Sequence, residues 1–236
     1  PYVGVTYGFA MGVATASAVY AWGATPYYYP AYYGDYPCCG SASANVYGQY
    51  GSTTYSGTRT YYANPGGTVG TTASGTYTNT ATGTSGSYAA GRSYNPYTGQ
   101  QSAGYGRTFT TPSGVSGGYE RGATYNPQTG TLTTGAAGTA TGPGGGTTSA
   151  EATRSANVYG QQTAQAEHTT TNPNTGMTRT GETTAAAGPG GAGVQHETTV
   201  TNTATGQSKT VSGGVGHEGN TTYADHNGNV YKNSGS

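Results

Sequence analysis

Each of the four histidines stands beside an acid: Glu167–His168, His196–Glu197, His217–Glu218 and Asp225–His226. Imidazole and carboxylate are common metal ligands. In a strand, however, adjacent side chains point to opposite faces, so no such pair chelates by itself, and exposed polar positions near turns are the better reading. Asp225–Asn229 (DHNGN) begins like a calcium loop, yet Val230 stands where that loop needs glycine and Ser236 where it needs a bidentate glutamate. With Asn227–Gly228 at its centre and Tyr223 and Tyr231 flanking, this segment is expected to close a hairpin. The GPGG runs at Gly142 and Gly188 lack the Lys-Ser/Thr and following helix of a phosphate cradle and read as turns. Cys38 and Cys39 are adjacent, a strained geometry for bonding each other. Each can instead bond a neighbouring subunit in an oxidising compartment; free thiols or a vicinal disulfide are the alternatives. Asn220-Thr221-Thr222 fits an N-glycosylation sequon, a weak signal alone. No nucleophile–base–acid set or paired-carboxylate site stands out. The expectation is a protein that is not an enzyme, with no catalytic residues, cofactor or metal.

The elements that must position these groups are built from an unusual alphabet. The 236 residues include 46 Thr, 44 Gly, 24 Tyr and 13 Val, but one Leu (Leu132) and no Ile. The hydrophobic fraction is 32%, where ordinary domains reach about 45–50%. Such a chain cannot fill a conventional enzyme core. Its charged fraction, 7%, is also far below that of most disordered chains, so a backbone-bonded β-structure supported by neighbouring copies is expected. The charges cancel to zero. No basic stripe exists to neutralise phosphates, which argues against nucleic acid, and little self-repulsion opposes association. Up to Tyr125, Arg59, Arg92, Arg107 and Arg121 outnumber Asp35 and Glu120; beyond it, Arg154, Arg179, Lys209 and Lys232 face six acids. Chance accounts for this asymmetry; head-to-tail attraction between copies, screened by salt, is the sharper alternative.

Residues 1–25 form an apolar segment. Val3, Val5, Tyr7, Phe9, Met11 and Val13 alternate with small residues, and Trp22 follows. Period two with β-branched and aromatic residues reads as an extended strand rather than a membrane helix, so no membrane span is expected. The start at Pro1, with no basic region, suggests removal of an upstream export segment. Residues 26–42 are a linker, because Pro26, Pro30 and Pro37 exclude regular helix and central strand. Val3, Val5, Tyr7, Phe9, Met11 and Trp22 are candidate assembly residues, to be donated as a strand to a neighbour or folded back into their own subunit.

The remainder is an array with an aromatic half (43–130), a Thr/Ala/Gly-rich half (131–222) and a terminal hairpin (223–236). Turn-like clusters begin at Asn64, Asn79, Asn95, Thr111, Asn126, Gly142, Asn157, Asn172, Gly188, Asn202 and Gly216, at intervals of 14 to 16 residues. The heptapeptide SANVYGQ occurs at Ser43–Gln49 and at Ser155–Gln161. In the N-x-x-T-G pentapeptides, Asn79, Asn95, Asn126, Asn172 and Asn202 accept local backbone bonds, while Gly83, Gly99, Gly130, Gly176 and Gly206 supply the left-handed residue. That is hairpin chemistry. The fold predicted is all-β: a long antiparallel meander of about a dozen strands with a turn every ~15 residues, or alternatively a β-solenoid with about 30 residues per coil. Tyr88, Ala90, Arg92 and Tyr94 should share one strand face, as should Ala103, Tyr105, Arg107 and Phe109, with small residues opposite.

The motifs YNPYTG, YNPQTG, TNPNTG and ANVYG, the Tyr/Pro-rich run after an apolar start, and the final NGNVYK resemble those of uncharacterised exported bacterial proteins rich in Tyr, Gly and Thr. The likeness covers most of residues 26–232 and implies export from a bacterium; it brings no activity and no catalytic residues. Together these features point to a structural subunit of an extracellular or cell-surface fibre or matrix that polymerises with itself through β-strand contacts. A cell-surface adhesin that stacks Tyr on surface polysaccharide is the alternative. An outer-membrane barrel ranks third, because its lipid face needs aliphatic residues that the array lacks.

Overall fold

A computed structural model describes residues 40–234, and every element in it is a strand. The assembly residues Val3, Val5, Tyr7, Phe9, Met11 and Trp22, and the cysteines Cys38 and Cys39, lie outside the described residues. In chain order the strands are β1 (Gly40–Tyr50), β2 (Thr53–Ala63), β3 (Val69–Asn79), β4 (Ser85–Tyr94), β5 (Gln101–Thr110), β6 (Ser116–Asn126) and β7 (Thr131–Thr141). They continue as β8 (Thr147–Ala156), β9 (Gln162–Asn172), β10 (Met177–Gly188), β11 (Gly191–Asn202), β12 (Gln207–Glu218), β13 (Thr221–His226) and β14 (Asn229–Ser234). Sheet order is chain order, and the pairing is antiparallel. The protein is the meander; parallel coils are absent among the described residues. β1 begins at Gly40 and so takes up the last three residues of the segment read as linker.

Contacts divide the chain into two units. The first holds described residues 40–112 and Gly118–Gln128, that is, β1–β5 and most of β6; the second holds Ser113–Gly117 and residues 129–234, with β7–β14. Within each unit the strand contacts join sequence neighbours, and no second layer covers the strands among the described residues. The alphabet explains this. Among the described residues only Tyr77 and Tyr88 are buried large side chains, and Thr, Ser and Gly faces offer too little apolar area to fold a second layer of the same chain over the first.

Each letter of N-x-x-T-G has a physical task. The asparagine Oδ1 accepts the amide two residues on at 2.9–3.0 Å in all five turns, from Ala81, Tyr97, Gln128, Asn174 and Ala204. The Gly83, Gly99 and Gly206 amides donate back to the carbonyls of Asn79, Asn95 and Asn202 at 2.7–2.8 Å. In three of these turns the threonine hydroxyl accepts the amide after the glycine, Thr82 from Thr84, Thr98 from Gln100 and Thr205 from Gln207, at 3.3–3.4 Å. Gly83, Gly99, Gly130, Gly176 and Gly206 have φ of 68°, 68°, 59°, 65° and 71°, in the left-handed region that favours glycine. Asn227 and Gly228, at φ 48° and 85°, close the β13–β14 hairpin as a type I′ turn.

Turns on the same rim also touch one another. In the first unit a Cβ on Gly83 would stand 2.6 Å from Pro112 Cγ, and one on Gly99 2.7 Å from Pro127 Cγ. The second turn residue, Pro112 after Thr111 and Pro127 after Asn126, therefore does more than fix φ: it lies against the glycine of the turn two strands earlier. Where that position is threonine it donates instead. Thr80 N reaches Ser52 O at 2.8 Å, and in the second unit Thr203 N reaches Gly176 O at 2.7 Å.

The two copies of SANVYGQ differ in structure. Ser43–Gln49 runs straight through β1, paired residue by residue with β2. In the second copy Asn157 starts a turn, its Oδ1 accepting from Tyr159 and Gln161 at 3.0 and 3.1 Å, with Gly160 at φ 79°. The local signal is identical, so the partner strand decides.

Candidate assembly surfaces

The register across β2–β5 puts Tyr55, Arg59, Tyr61, Tyr77, Tyr88, Arg92, Tyr94, Tyr105 and Arg107 on one face of the first unit. Tyr119 of β6 joins through its ring contact with Tyr105, 5.8 Å between centroids. Arg121, two residues on, shares the face by alternation. Its centre is Arg107, whose guanidinium carbon lies 5.0 Å from the Tyr77 ring centroid and 5.6 Å from that of Tyr119. Arg107 Nε is buried without a hydrogen-bond partner and faces these rings instead. Tyr55 completes the cluster at 6.3 Å from Tyr77 and, edge-on, 6.1 Å from Tyr88. Arg59 lies 5.0 Å over Tyr61.

One hydrogen bond anchors the cluster. Tyr77 Oη donates across β4 to Thr108 O of β5 at 2.8 Å. The acceptor is available because the β4–β5 ladder opens there: pairing runs from Ser85↔Thr110 to Tyr88↔Arg107, and Ser87 N donates to Thr108 Oγ1 at 3.0 Å. Gly86 lies beneath, with the Thr108 carbonyl where a Cβ would be. Burial raises the phenol pKa of Tyr77 and Tyr88, and burial followed by the Tyr119 charge pushes Tyr105 up to about 12. For Arg107 burial is the largest influence and lowers its pKa, but the phenols of Tyr77, Tyr119 and Tyr105 outweigh it, leaving the value raised.

The opposite face of the first unit is mostly small and hydroxylated, interrupted by Tyr47 and Tyr62. Hydroxyl pairs cross its strands: Ser43–Thr60 at 2.8 Å, Ser87–Thr108 at 2.8 Å and Ser93–Ser102 at 2.7 Å.

In the second unit the register sorts the charges by sign. Glu151, Glu167, Glu182 and Glu197 stand directly opposite one another in a single row across β8–β11. Glu218 and Asp225 share their face. All four histidines, with Arg154, Arg179 and Lys209, lie on the other face. Lys232 alone of the unit's lysines and arginines is on the acidic side, 5.8 Å over the Tyr223 ring. The glutamates are exposed, and only Gln165 Nε2 bridges them, to Glu167 at 2.9 Å and Glu182 at 3.3 Å. The His–acid adjacencies thus separate each pair through the sheet rather than join it. Among the described residues no group of three His, Cys, Asp or Glu could hold a metal ion.

Sequence reasoning considered the His–acid pairs one at a time and missed the row. The signal was present: glutamates at 151, 167, 182 and 197 recur at the turn spacing, so successive hairpins return them to one face. Behind them, on the cationic face, Ala164, Ala185, Val194 and Val215 form one cross-strand row in a shallow apolar depression. Comparison with protein-family models, curated proteins and solved structures finds no match.

Proposed function

We propose that this protein is a structural subunit of a self-assembling extracellular bacterial fibre or matrix, extended by β-strand pairing between copies. The observation that carries the reading is β1. It is an eleven-residue strand at one end of the sheet order, GSASANVYGQY, with no charge, no proline and mostly exposed side chains, Tyr47 and Tyr50 at 74% and 71%. Such an edge pairs with another chain unless it is blunted. At the other end β14 exposes Val230 and Tyr231 at 71% and 63%. Pairing β14 of one copy with β1 of the next is heterologous and does not close, so it produces a filament. Strand donation by the N-terminal segment is a further route to the same polymer. The role is structural, not catalytic, and no helix among the described residues is long and apolar enough to cross a membrane.

Electron microscopy of the purified chain should show filaments, and a Val46→Lys variant should shorten or abolish them. Dispersed protein at high concentration would remove the basis for this reading. A surface polysaccharide is the second candidate partner, favoured by Tyr94, Tyr119 and Tyr125, which are 45%, 41% and 36% exposed. Sugar binding by filament-free protein would support it.

A further inference from the structure

The edges and the faces of this sheet are separate surfaces, and the faces of the second unit carry opposite charge. We infer that copies also stack face to face, the glutamate face of one second unit lying on the cationic face of another copy's second unit. The inference rests on the self-assembly reading only in taking a second copy as the partner.

Three observations support it. The first is the glutamate row. Like charges directly opposite one another on neighbouring strands destabilise a sheet, yet four stand in line at Glu151, Glu167, Glu182 and Glu197. Their own face offers them no cation nearer than the β14 lysine, which is over Tyr223. An external positive surface would turn the repulsion into attraction. The second observation is that this surface exists on the same unit. Arg179 and Lys209 share one cross-strand row through Val200, Arg154 lies in another, and His168 and His196 occupy rows between them. These cations flank the level of the glutamates, and the imidazoles add N–H donors for carboxylates.

The third is shape and area. Both faces are dominated by Thr, Ala, Gly and Ser, which allow sheets to approach the usual ~10 Å. Five strands, β8–β12, at ~4.8 Å spacing and ~36 Å length present about 860 Å² per face. Stacking therefore buries about 1,700 Å² in total, within the range of stable protein interfaces. The apolar row Ala164–Ala185–Val194–Val215, which continues across β9–β12 from Arg154 on β8, supplies uncharged contact at that flank. Because the two faces differ, a stacked pair keeps one free acidic face and one free cationic face. Stacking is open-ended and would thicken a one-sheet ribbon into layers.

The test uses the full chain in sedimentation velocity and electron microscopy at 20 and 500 mM NaCl. Layered assemblies are expected at low salt and should thin at high salt. The quadruple variant E151Q/E167Q/E182Q/E197Q should weaken layering at least tenfold while its strand content persists and its melting temperature stays level or rises. A charge-swap pair settles direction. E151K/E167K/E182K/E197K makes both faces cationic, and R154E/R179E/K209E makes both acidic. Each should fail to layer alone and layer again when the two are mixed. The Val46→Lys edge variant should lose filaments but keep low-salt stacking, which separates this inference from the fibre reading. Layering that is indifferent to salt, that survives in the quadruple glutamine variant, or that depends on calcium instead of the arginines would overturn it.

Discussion

Replacing Tyr77 by Phe removes one atom from the most buried side chain of the first unit and tests how its cluster is held. Tyr77 is 7% exposed. Its hydroxyl is 2.8 Å from Thr108 O, a carbonyl at the point where the β4–β5 ladder opens. Removing a donor from a part-buried carbonyl costs about 1–2 kcal/mol; water can approach an uncovered sheet face, so the lower end, about 1 kcal/mol, is expected. Phe keeps the ring beneath Arg107, whereas Tyr77→Leu also loses the cation–π contact and the ring pair with Tyr55. These are worth about 0.5–1 and 0.5–1.5 kcal/mol, so with the hydroxyl's ~1 kcal/mol Leu should cost about 2–3.5 kcal/mol. Urea unfolding followed by circular dichroism, with constant slope, measures both. In a cycle with Arg107→Met, Leu should show coupling of about 0.5–1 kcal/mol and Phe almost none. Equal coupling for Phe and Leu would mean the hydroxyl, not the ring, holds Arg107. A neutral Phe variant would show that the Tyr77–Thr108 bond does not anchor the cluster.

Three further outcomes are expected. Tyr105, with its pKa pushed up to about 12 by burial, keeps its proton in the folded state after the unfolded chain loses it near 10. It therefore contributes stability that is complete below pH 10 and declines as pH rises through 12; melting temperatures against ultraviolet phenol titration from pH 9 to 12.5 check this, and a flat profile contradicts it. Gly83→Ala should destabilise more than Gly206→Ala: both have left-handed φ, but only Gly83 has a proline 2.6 Å from where the Cβ would stand, with nothing within 4 Å at Gly206. Strain alone costs about 1–2 kcal/mol, so equal losses in thermal melts would show that rim contacts contribute nothing. Glu182→Gln removes a charge between two opposed glutamates and should stabilise the low-salt monomer by about 0.5–1.5 kcal/mol, with the gain shrinking in 0.5 M salt.

The meander and its turns were legible because both are written in local chemistry. Asn, Thr and Gly at fixed offsets define a turn without reference to distant residues, and alternation fixes which side chains share a strand face. What required the structure was everything that crosses strands. The Tyr77–Thr108 bond depends on a ladder opening that no single strand announces. The identical heptapeptides at Ser43 and Ser155 show the same limit from the other side: one is strand and one is turn, because Asn45 lies within the β1–β2 ladder opposite Thr58 whereas the β8 ladders end at Ala156, one residue before Asn157. The glutamate row falls between these cases. Its members share a face only through a register that depends on every intervening turn length, so parity counting could have found it and inspection of adjacent His–acid pairs could not.

The rim contacts have a mechanical consequence. If each strand were held only by its two neighbours, a pulling force would peel the sheet one strand at a time, releasing about 50 Å of chain per event at ~3.4 Å per residue. Thr203 N bonded to Gly176 O and Pro112 seated on Gly83 tie these turns to the turn two strands away. A strand cannot leave before the rim contact bridging it breaks, and that break loosens the next strand as well. Force–extension traces should therefore favour steps of about 100 Å, making the hairpin pair, not the strand, the quantum in which a stretched molecule yields and re-forms.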